Sequence, residues 1–85
     1  MTDRFPPLPN IEDLIEGNGE ITIGRIGPIR CAATAADDDQ SLAMLVRRDG
    51  ETLEKLLTRL DRAIEKAAED DIFIDEINSG PDDRI

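Results

Sequence analysis

The sequence predicts an α+β fold: a small antiparallel sheet of about three strands covered by one long amphipathic helix over residues 51–69. Residues 72–77 stand as the candidate fourth strand. Two observations carry this. Leu53, Leu56, Leu57, Leu60, Ala63, Ile64, Ala67 and Ala68 step by three and four along one stripe, which is helical spacing. Upstream the apolar period is two: Ile29, Cys31, Ala33 and Ala35 share one face, and Leu42, Met44 and Val46 share another. The short acidic turn Asp37-Asp38-Asp39-Gln40 between these two runs is what an antiparallel hairpin requires.

The remaining elements follow in chain order. Residues 1–9 hold Pro6, Pro7 and Pro9 and form an extended arm, since proline fixes φ and removes a backbone donor. Pro6-Pro7-Leu8-Pro9 has the form of a short P-x-x-P ligand, but such compositional motifs are weak, and an extended lead-in docked through Phe5 and Leu8 is the expected reading. Asn10 is the expected N-cap of a short helix, with Asp13 three residues on and Ile11, Leu14 and Ile15 on one side. Gly17-Asn18-Gly19 is a turn signal, after which Ile21 and Ile23 alternate with Thr22 and Gly24 as a first strand. Gly27-Pro28 interrupts it, Asp49-Gly50 precedes the long helix, and Asp70-Asp71 ends it. Residues 10–77 thus make a single domain, followed by a flexible acidic tail over 78–85.

The chain has 85 residues, with 20 acidic against 10 basic, for a net charge of −10. That charge disfavours direct binding to nucleic acid, which needs surplus Lys and Arg to displace counterions, and disfavours anionic membranes. No apolar run approaches a membrane span and no signal-peptide pattern opens the chain, so a cytoplasmic protein is expected. The only aromatic residues are Phe5 and Phe73, which leaves the core to aliphatic side chains. Small aliphatic cores bury little area per residue, which favours association with a second copy or a partner.

The residue types exclude several chemistries. With no histidine, Ser–His and Cys–His nucleophilic sites and nearly all zinc sites are removed. Cys31, alone in the chain, shares its strand face with Ile29, Ala33 and Ala35 and is expected as a small buried hydrophobe. Asp37, Asp38 and Asp39 are adjacent in a tight turn and cannot all face one cation, so they are expected as a solvated turn. Gly24-Arg25-Ile26-Gly27 has the G-x-x-G form of an RNA clamp, but it interrupts strands instead of joining helices. No enzyme, cofactor or metal is expected.

The helix offers the sharper feature. Lys55, Arg59, Arg62 and Lys66 form a basic stripe nearly opposite the apolar one, flanked by Glu51, Glu54, Asp61, Glu65 and Glu69. A solvated face explains such a stripe. A recognition surface for an acidic partner, or for the acidic part of a second copy, explains it too. The stretch Gly50-Glu51-Thr52-Leu53-Glu54, following a hairpin, resembles the helix start of the small HicB-like antitoxin fold, and the likeness extends from Gly50 to Ile64. That resemblance implies a sheet, a helix and a short following strand, in a partial RNase H-type arrangement. It also implies a bacterial toxin ribonuclease as the partner, neutralised by being covered. The expectation is a small, acidic, non-enzymatic protein that binds another protein or itself, with inhibitor or antitoxin as its most specific form. The alternative is a structural or accessory subunit of a larger assembly.

Overall fold

The computed structural model describes residues 7–77. Most of the proline arm and the acidic tail therefore lie outside the described residues. The first helix, α1, spans Pro9–Glu16 and opens with proline at its first turn, where the missing N–H has no helical partner to lose. Asn10 is not its N-cap. Leu8 occupies that position and offers no side-chain bond, while Asn10 lies inside the helix. The cap comes instead from far along the chain. Asp61 Oδ1 accepts from the backbone N–H of Asn10 (2.8 Å) and of Ile11 (2.9 Å), and Asp61 Oδ2 accepts from Asn10 Nδ2 (3.0 Å). A carboxylate at a helix N-terminus satisfies orphan donors and opposes the positive end of the dipole.

Gly17 ends α1, and the chain doubles back so tightly that Gly19 N–H donates to the Leu14 carbonyl at 2.8 Å. A side chain on Gly19 would collide with Leu14. Strand β1 (Glu20–Ile26) then pairs antiparallel with β2 (Ile29–Ala36) across a tight turn, where Gly27 has φ +58°. That backbone region is open to glycine at little cost. Strand β3 (Ser41–Val46) pairs antiparallel with β2 across the acidic turn. In that turn Asp37 Oδ1 accepts from the N–H groups of Asp39 and Gln40, an aspartate turn closed by its own side chain.

Helix α2 spans Leu53–Asp70 and is capped by Thr52, whose hydroxyl accepts from Lys55 N–H at 3.1 Å. It ends at Asp71, which takes the left-handed conformation at φ 60° and returns its N–H to the Lys66 carbonyl. Strand β4 (Ile74–Asp75) closes the sheet in the order β1-β2-β3-β4. It lies parallel to β3, so the sheet is mixed and not purely antiparallel. A helix connecting two strands makes this the natural outcome, since the crossover returns the chain to the end where β3 began.

The core forms where α2 crosses the sheet. Ala33 and Ala35 of β2, Ala43 and Leu45 of β3, and Leu56, Leu60, Ala63 and Ile64 of α2 are all buried, with Ile11 of α1 at the margin. Alanines on the strands let the helix leucines approach the sheet closely. Burying Leu45, Leu56 and Leu60 contributes about 1.5–3 kcal/mol each. Leu42, Met44 and Val46 do not form one inward face. Ala43 and Leu45 point inward, and Leu42 packs against the core because the β2–β3 register shifts between Ala35 and Ala36. Among the described residues, no helix is long and apolar enough to cross a membrane.

Candidate functional site

The side of α2 that faces β4 carries the chemistry. Arg59 is held there by three elements at once. Its Nε donates to Glu51 Oε2 at 2.7 Å and its Nη2 to Glu51 Oε1 at 2.9 Å, a forked pair matched to the carboxylate. Its Nη1 donates to Glu76 Oε2 at 2.9 Å, and Nη2 also reaches the Val46 carbonyl at 3.0 Å. Glu76 in turn accepts the Val46 N–H on Oε1 (2.9 Å) and gives its own N–H to the Met44 carbonyl (2.7 Å). The loop before α2, the end of β3 and the residue after β4 are thereby tied to one guanidinium.

Burial makes these pairs matter. The Glu51 side chain is 8% exposed and that of Arg59 22%. The hydrogen bonds from Arg59 hold the Glu51 carboxyl at about 2, from an ordinary 4.5, against the opposing effect of burial. The Arg48 N–H, which donates to Glu51 Oε1 at 2.9 Å, pulls the same way. Arg59 is pushed above its ordinary value, chiefly by its hydrogen bonds to Glu51. It therefore stays charged and internally paired.

This network closes one end of a groove of about 260 Å³ between α2 and the β3–β4 edge. Its floor is apolar, made of Leu45, Ala63 and Ile74, and Arg48, Arg62 and Lys66 stand along its rim. Arg48 lies 3.8 Å from Glu76 but is 66% exposed at its side chain. Arg62 and Lys66 are exposed, and neither forms an ion pair with a described residue. A larger concavity of about 690 Å³ opens at the end of the sheet beside Ile29, Arg30 and Cys31. There Arg47 is turned back onto the Glu51 carbonyl at 2.8 Å, and Pro28, Ile29, Cys31 and Val46 give the recess an apolar lining beside Arg30 and Arg48.

The four stripe residues are therefore placed differently. Arg62 and Lys66 border the groove with no ion pair to a described residue, Arg59 borders it with its charge spent inside the fold, and Lys55 lies exposed near the start of α2 outside it. Asp61, expected on a solvated flank, is instead 7% exposed and caps α1. Helical periodicity found the stripe but not the far wall. Glu76 and Ile74 come from a segment whose approach depends on β4 lying parallel to β3, and nothing in its local spacing signals it, while Arg48 reaches the rim from the loop that follows β3. Comparison with protein-family models, with curated proteins and with solved structures finds no match to this chain.

Proposed function

We propose that the chain is a small, non-enzymatic, protein-binding module of the cytoplasm, and that the groove between α2 and β4 is its binding site. One observation carries this: in a chain of net charge −10, Arg62 and Lys66, which form no ion pair with a described residue, stand over an apolar floor of Leu45, Ala63 and Ile74. A site of that make-up fits an extended segment of a partner protein that combines carboxylates with apolar side chains. Carboxylates would meet the rim, and apolar side chains would cover the floor and exclude water. At about 260 Å³ the groove lies just under the roughly 300–1,000 Å³ usual for pockets that enclose a drug-sized ligand, and its open form suits an extended segment. Inhibition of a toxin, as the resemblance of Gly50–Ile64 implies, is the most specific form of this reading.

The test is a titration with a fluorescently labelled synthetic peptide in which aspartates alternate with leucine and phenylalanine, followed by anisotropy. Saturable binding to the native chain, lost in the Arg62→Glu/Lys66→Glu variant, is the expected outcome. Equal binding by the two proteins would remove the groove as the site.

A further inference from the structure

The outer face of α2 has a charge order of its own. Arg62, Glu65, Lys66 and Glu69 occupy positions i, i+3, i+4 and i+7, so they fall within roughly 100° of the helix circumference. All four are exposed, together they line one shallow concavity with Asp70, and none forms an ion pair with a described residue. Their signs run plus, minus, plus, minus. A sequence of that kind is complementary to itself when reversed.

We propose that this face pairs with the same face of a second copy, the two α2 helices running antiparallel about a two-fold axis. With Arg62 opposite the partner's Glu69, Glu65 falls opposite the partner's Lys66, and the axis repeats both pairs. Every charge in the stripe then meets its opposite. A parallel alignment in register would instead set each charge against its own kind.

The same alignment supplies an occupant for the groove. At about 1.5 Å per helical residue, this register brings Ile72 of one copy level with Arg59 of the other along the helix axis, while in its own chain the segment around Ile72 lines a recess with Leu42 and Ala67. That segment is Asp71-Ile72-Phe73, and Ile72 and Phe73 are 45% and 49% exposed, an unusual cost for a chain with so few large side chains. It brings acid and apolar groups together, as the groove's rim and floor require. This inference rests on the groove as a protein-binding site and commits that site to a second copy of the chain.

The experiment is sedimentation velocity on the full chain and on two charge variants, Arg62→Glu/Lys66→Glu and Glu65→Lys/Glu69→Lys. The native chain should form a dimer at low ionic strength and dissociate in about 1 M salt, where the screening length is near 3 Å. Each variant alone should be monomeric, because its stripe carries one sign. An equimolar mixture of the two should re-form a dimer. Circular dichroism of each variant checks that the exposed substitutions leave the fold in place. A monomeric native chain at high concentration and low salt would overturn the inference, as would dimers of both variants alone or a mixture that stays monomeric. Peptide binding by a monomeric native chain would leave the groove standing as a site for another protein. Loss of both would remove the groove as well.

Discussion

Replacing Asp61 by alanine deletes the acceptor for three hydrogen bonds that fix α1 to α2, and its cost can be worked from their surroundings. The Ile11 N–H is buried at the margin of the core cluster, so leaving it unpaired costs about 1–3 kcal/mol. The Asn10 N–H and side-chain amide are part-buried and recover some hydration, so their loss is comparable to an ordinary N-cap deletion of about 1 kcal/mol. Together these give a destabilisation of about 2–4 kcal/mol. A domain of this length has roughly 4–13 kcal/mol in all, so the change is large. Asp61→Asn keeps an acceptor for the backbone groups and should cost only about 1 kcal/mol. Urea denaturation followed by circular dichroism gives both values, and amide exchange at Asn10 and Ile11 locates the effect. If alanine and asparagine cost the same, or if alanine costs less than about 0.5 kcal/mol, the remote cap is not what holds α1.

Two further outcomes concern the remainder of the fold. Glu51, whose carboxyl lies at about 2 in the folded chain against an ordinary 4.5, adds stability that is fully present above about pH 4.5. Because the folded value is the lower one, that stability is lost as pH falls from 4.5 towards 2, and Glu51→Gln should flatten this part of the stability–pH curve measured by denaturant titration. Asp71→Gly should raise stability by about 0.5–1.5 kcal/mol in thermal or urea melts. Glycine adopts the left-handed conformation at φ 60° without the side-chain penalty, and the change removes a carboxylate from the negative end of a helix that has no basic residue in its last turn.

What the sequence discloses about this fold follows from how periodic each segment is. The helix over residues 51–69 is legible because apolar and charged residues alternate on a helical period, and α2 at Leu53–Asp70 nearly coincides with it. Strand β3 is not legible in the same way. Ser41-Leu42-Ala43-Met44-Leu45-Val46 is apolar at almost every position, so a period of two fits either set of alternate residues. The choice of Ala43 and Leu45 as the inner set is made by the register shift opposite Ala35 and by the leucines of α2, both tertiary facts. The cap of α1 was equally hidden. Asn10 has the side chain of an N-cap, but a proline just before it moves the helix start by two residues and hands the role to a carboxylate in α2. In the candidate site, the charges of Arg62 and Lys66 are plain from the sequence. The engagement of Arg59 is not, because its partner Glu76 approaches only once β4 is laid beside β3.

The short last strand has a consequence for how the sheet can grow. Strand β4 offers only Ile74 and Asp75 at that margin, and β3 runs past it to Val46. There the Val46 N–H is taken by the Glu76 carboxylate and the Val46 carbonyl by Arg59, so the protruding backbone has neither a donor nor an acceptor to lend. A stray strand from an unfolded chain would find the template already filled by side chains. The ion network thus acts as a terminator of the sheet, and strand-by-strand aggregation is steered away from the margin that borders the groove.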